Sequence, residues 1–160
     1  MSTQNAIGDR GESIFTTRIT QYNLFKVYFL GEKAPIVDFL LEILDEQHPY
    51  YFMVQVKSTE LGYNKDGKLK AVVPNDKYVK LVERLVPTYV AGVDVSTETV
   101  YLCPAFDVGT KYTTIPVTHL LSLSQKKKSK ASLNLLKQDV INYYKSSGLG
   151  QYKAQYKSLL

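Results

Sequence analysis

Two apolar stretches, Ile36–Leu44 and Tyr50–Lys57, flank a short polar turn, Asp45-Glu46-Gln47-His48-Pro49. The first is interrupted only by Asp38 and Glu42. Strands that are apolar on both sides need cover on both sides, so this hairpin predicts the centre of a sheet with layers packed above and below it. Strand residues two apart share a face. Gln55 and Lys57 therefore project together, leaving Met53, Val54 and Val56 for packing. Folding the hairpin about its polar turn sets Asp38 across from Gln55, within one register step. A one-step slip would reverse that facing.

A charge on a central strand is costly unless it is paired or holds a metal. Two readings of Asp38 and Lys57 stay open on this ground: a charge pair at a strand end, or part of a cation site. The preceding helix bears on the choice. It is expected over Asp9–Gln21, with Asp9 as N-cap, Glu12 completing a capping box, and Phe15, Ile19 and Tyr22 as an inward stripe. Glu12 lies at the N-terminal end of that stripe. Alone, it reads as a capping residue. Beside Asp38 and Gln55 it adds a second carboxylate to an amide oxygen, and hard oxygen ligands suit Mg2+.

The remaining elements alternate. Leu24–Leu30 is expected as a strand, followed after the hairpin by a polar loop, Thr59–Lys68, and a short strand, Leu69–Val73. A second helix opens at Pro74-Asn75 and runs to about Val86, with Tyr78, Leu81, Val82 and Leu85 inward and Lys77, Lys80 and Arg84 opposite. Thr88–Val95 and Glu98–Leu102 form a hairpin around Ser96-Thr97, and Tyr112–Val117 adds one short strand. Gln125–Lys130 reads as a basic loop before a last helix, Ala131–Tyr144, with Leu133, Leu136, Val140 and Tyr143 inward. We divide the chain into a domain over 1–125 and a basic helical tail over 126–160 on the same domain.

Here the residues resemble a known group. Asp38, then Gln55-Val56-Lys57 ending the next strand, with Gly11-Glu12 on the preceding helix, looks like the PD-(D/E)xK phosphodiesterase superfamily. The stretch Ile7–Val95, with Phe39 after the acid and Ser58-Thr59 after the lysine, is similar to a small bacterial family of unknown function in it, met in phage-defence settings. The resemblance implies an α/β fold with a restriction-endonuclease-like αβββαβ core, a mixed sheet flanked by helices. It implies a nuclease using Mg2+ or Mn2+, with Asp38, Gln55 and Glu12 as metal ligands and Lys57 orienting the attacking water. Val37 stands where the motif has Pro, and Gln55 where it has a second acid. Nucleases of this fold resembling methyl-directed restriction enzymes carry a QxK version. The Gln removes a negative charge, so the alternative is an inert site on a nucleic-acid-binding or protein-interaction subunit.

Charge distribution fits a polyanion partner. The chain carries +5 overall; from Lys126 onward it is +7 and before that −2. Lys77, Lys80, Arg84, Lys126, Lys127 and Lys128 are the candidate phosphate contacts, with Lys130 and the loop lysines Lys65, Lys68 and Lys70 beside them. Each alone is more ordinarily a solvated surface lysine or arginine. The partner expected is DNA, with a homodimer or a defence-system protein supplying specificity.

Other classes find no footing. Cys103 is the one cysteine, so neither an internal disulfide nor a cysteine metal cage can form. His48 and His119 have no metal-spaced partner, and there is no phosphate-binding loop or dinucleotide fingerprint. No apolar run reaches the roughly 18 residues of a membrane span, and Met1–Gly8 lacks the form of a signal peptide. A cytoplasmic setting is expected.

Overall fold

The computed structural model describes residues 3–31, 34, 36–44, 46–47, 49–83, 86–105 and 120–147. Their order is α1 (Gln4–Thr20), β1 (Phe25–Phe29), β2 (Phe39–Ile43), β3 (Tyr51–Thr59), α2 (Asn75–Val82), β4 (Thr88–Asp94), β5 (Thr99–Pro104), β6 (Leu120–Leu121) and α3 (Lys126–Ser147). The strands make one mixed sheet in chain order. β1, β2 and β3 form an antiparallel meander, β3 and β4 pair in parallel, and β4, β5 and β6 are antiparallel again. The parallel step requires a crossover, and α2 lies within it.

Strand alternation sends successive side chains to opposite faces, and both faces are covered. On one, Phe15 and Ile19 of α1 and Leu133, Leu136 and Val140 of α3 pack with Phe52, Val54 and Ala91. On the other, Tyr78 and Leu81 of α2 join Leu69, Ala71 and Val73 over Val90 and Cys103. The two-sided cover expected of the apolar hairpin is therefore present. Among the described residues no helix is long and apolar enough to cross a membrane.

Several boundaries differ from expectation, each for a physical reason. α1 starts at Gln4, and Thr3 Oγ1 accepts the Ala6 N–H at 3.3 Å, so Thr3 caps the helix and the Asp9–Glu12 capping box does not form. Ile7, packed against the core one turn before Gly11, extends the helix toward the N-terminus. Leu69–Val73 is not a strand. It makes one bridge, Leu69 with Tyr63, and buries Leu69, Ala71 and Val73 against the sheet's face. β3 already has β2 and β4 as neighbours, so no edge is free beside it.

α2 stops at Val82 and not near Val86, ahead of Pro87, whose ring disfavours helix in the residue before it. Of the basic loop expected over Gln125–Lys130, Lys126–Lys130 instead open α3. Buried Ser129 pins the helix's first turn: its Oγ donates to Ser122 O at 2.9 Å and accepts from Ser122 N at 2.8 Å. Leu133, Leu136 and Val140 point inward as expected, while Tyr143 is only partly buried. The Tyr112–Val117 strand, Arg84, Leu85, His48, His119 and residues 148–160 lie outside the described residues.

Candidate active site

The site begins with the register of β2 and β3. Phe39 pairs with Val54, and one step beyond, Asp38 N donates to Val54 O at 2.9 Å. That step brings Asp38 beside Gln55, within the one-step range expected of the hairpin. The Asp38 carboxylate is held by two donors. Val56 N–H reaches its Oδ2 at 2.7 Å, and Gln55 Nε2 reaches the same oxygen at 3.2 Å. Gln55 is 7 % exposed, and with its Nε2 committed to Asp38, its Oε1 is buried and makes no hydrogen bond. A buried carbonyl oxygen without a partner is uncommon and asks for an explanation.

Burial raises the Asp38 carboxyl above its ordinary range, although the Val56 N–H, Lys57, Gln55 and Lys77 all favour the charged form. Burial lowers Lys57, and the charge of Lys77 adds to that, while Asp38 pulls the other way. Glu12 is raised by burial first, then by Asp38 and Asp9. Asp38 is the group they share: Lys57 and Lys77 favour its charged form, and its own charge raises Glu12. Among the described residues no ion pair joins Lys57 to Asp38. Asp38 and Lys57 attract each other without a direct ion pair, and backbone and amide donors hold the acid.

Gly11 sets the position of Glu12. A Cβ on Gly11 would stand 1.6 Å from Ser58 Oγ and 2.6 Å from Ser58 Cβ, so only glycine lets α1 approach β3 this closely. Ser58 Oγ is itself buried without a hydrogen bond. The sequence carried a signal for this contact: a glycine inside a helix costs about 1 kcal/mol relative to Ala, and such a cost usually reflects a close approach.

Beyond Lys57 lies a cleft of about 590 Å3, between the N-terminal half of α1 and the 70–72 segment. Glu12, Lys57, Ser58, Leu61, Lys70 and Val72 are among its lining residues. Sequence reasoning set Lys70 among the loop lysines beside the candidate phosphate contacts and gave Leu61 and Val72 no functional role, because what brings them to Lys57 is the long-range packing of the 69–73 segment on the sheet.

The oxygen set fits a hard cation in kind: the carboxylates of Asp38 and Glu12 and the partnerless oxygen of Gln55. Among the described residues no group of three or more His, Cys, Asp or Glu side chains gathers around a common point. Any cation would therefore lean on the Gln55 amide and on water, as Mg2+ ordinarily does.

The basic candidates are not one patch. Lys77 and Lys80 are exposed on α2, over the face that carries Gln55 and Lys57. Lys126, Lys127 and Lys128 are exposed at the start of α3, where Tyr22 Oη donates to Lys126 O at 3.0 Å. Tyr22 follows the C-terminal end of α1, and Glu12 sits about 12 Å of helix away from that end. No family model, curated protein or solved structure matches this chain.

Proposed function

We propose that this chain is a metal-dependent nuclease of the restriction-endonuclease-like type, hydrolysing phosphodiester bonds in DNA with Mg2+ or Mn2+. The observation that carries the reading is the buried, partnerless Gln55 Oε1 beside the doubly held Asp38 carboxylate. The meander leading into a helical crossover and a parallel strand supports the αβββαβ core.

In this reading Asp38, Gln55 and Glu12 hold the cation. When bound, it supplies positive charge where the attacked phosphate gathers negative charge, and it acidifies water. Lys57 stands two residues beyond Gln55 on the same strand face. It orients the attacking water and adds charge stabilisation at the phosphate, in a setting dry enough for that charge to count. Lys77 and Lys80 receive the flanking backbone phosphates. The Val56 N–H fixes the Asp38 carboxylate before any ligand arrives, which is the positioning such a reaction needs.

The test is cleavage of plasmid, linear and single-stranded DNA, and of RNA, with Mg2+ or Mn2+. Asp38→Ala and Lys57→Ala should each lose at least about 100-fold in rate. Cutting that survives both changes would sink the assignment. One observation favours a second reading, an inert nucleic-acid-binding or protein-interaction subunit: the described residues lack a group of three metal-ligating acids, Cys or His. Metal-independent DNA binding without cleavage, unchanged in Lys57→Ala, would support that alternative.

A further inference from the structure

We propose that the cleft beyond Lys57 holds a single unpaired nucleotide next to the scissile phosphate, so that the substrate is a strand whose base has left the duplex stack. The proposal rests on the nuclease reading and names its substrate class.

The size of the cleft comes first. About 590 Å3 lies within the range of clefts that enclose one small molecule, about 300–1,000 Å3. A nucleotide within a duplex presents its phosphate outward and keeps its base in the stack. With such a phosphate at Lys57, the cleft would stay empty of base. Filling it requires the base to swing out, as enzymes that read a single base arrange.

The lining comes second. Leu61 is 74 % exposed and Val72 54 % exposed. Both line the cleft, and Ile7 adds a third apolar side chain from α1. Apolar side chains of this kind can sandwich an extruded base, and exposed branched aliphatics at a cleft otherwise have nothing to bury against. Two lysines, Lys57 and Lys70, also line it and favour an anionic occupant.

The acids narrow the choice. Glu12 belongs to the cation site. Glu60 also lines the cleft, so it is not a uniformly cationic track for a run of backbone. A single nucleotide, with its phosphate at Lys57 and its base against Leu61 and Val72, satisfies all of these groups.

The experiment compares three labelled DNAs of one sequence: a perfect duplex, the same duplex with one unpaired nucleotide, and the single strand. Cleavage with Mg2+ and equilibrium binding by anisotropy are both read, for wild type and for Leu61→Ser and Val72→Ser. Both variants change exposed side chains, and thermal melting checks their folding. The expected result is about a tenfold preference for the two unpaired substrates, with the ratio to duplex falling toward one in either variant. Equal cleavage of duplex and unpaired DNA, or a ratio that ignores both variants, would overturn the proposal. If nothing is cut, the nuclease reading fails separately, and the binding ratios still decide whether the cleft selects an unpaired nucleotide.

Discussion

At the level of single residues, Asp38 and Gln55 define what the site can do. Asp38 Oδ2 takes the Val56 N–H and the Gln55 Nε2. Asp38→Ala should cost about 1–3 kcal/mol, because it strands two donors. Asp38→Asn keeps an acceptor oxygen, so it should melt near wild type while losing cation binding; urea titrations of both variants check this. Gln55→Glu replaces a donor to Asp38 with a second anion. The metal-free variant should be less stable than wild type, and Mg2+ should raise its Tm by more, since like charges that close disfavour joint ionisation until a cation joins them. A Tm response to Mg2+ no larger than wild type's would count against Gln55 facing the cation. The raised carboxyls of Asp38 and Glu12 also fix a sign with pH. Their protonated forms are favoured on folding, so that contribution is present at low pH and is lost as pH rises through their elevated folded values. Mild acidification should therefore stabilise wild type relative to Asp38→Asn in the absence of metal, and weaken Mg2+ binding over the same window.

Among the elements, the contact of α1 with β3 is the one most exposed to a single change. Gly11→Ala places a methyl against Ser58, and such overpacking costs about 1–3 kcal/mol. Ser58→Gly removes both atoms it would strike. The double variant should therefore recover stability beyond the sum of the single effects, measured as a coupling energy from denaturant curves; simple additivity would show that the helix had shifted instead. This contact was half legible in the sequence, which placed Gly11 on α1 and Ser58 after Lys57 but gave no way to know that they touch. The register of Asp38 on Gln55 was legible to within one step, because a short polar turn between two apolar strands leaves few alternatives. The start of α1 was not, since Thr3 and Asp9 can both cap and the packing of Ile7 decides between them. The alternation in Leu69–Val73 was real, but pairing also needs an edge, and the chain order of the sheet leaves none beside β3.

For the whole molecule, charge and topology matter more than any one contact. Lys126, Lys127 and Lys128 occupy the first turn of α3, at the positive end of its dipole, where cations are disfavoured by about 0.3–1 kcal/mol each. Lys126→Glu with Lys127→Glu should raise Tm and lower DNA affinity together, with a shallower salt dependence of binding. Affinity unchanged by that double substitution would remove this end of the molecule from the footprint and leave the α2 lysines as its backbone contacts. Topology has a consequence in time. Asp38 and Gln55 meet across 17 positions of chain. Met53 and Thr88, at the start of the parallel pair, are 35 positions apart. Closing the shorter loop costs less entropy, and local pairings tend to form earlier in folding. The carboxylate and amide proposed to receive the cation thus come together in the early hairpin, ahead of the parallel strand. Mg2+ should then speed refolding and leave the unfolding limb of a chevron almost where it was, which would make the cation a participant in the folding nucleus as well as in the chemistry.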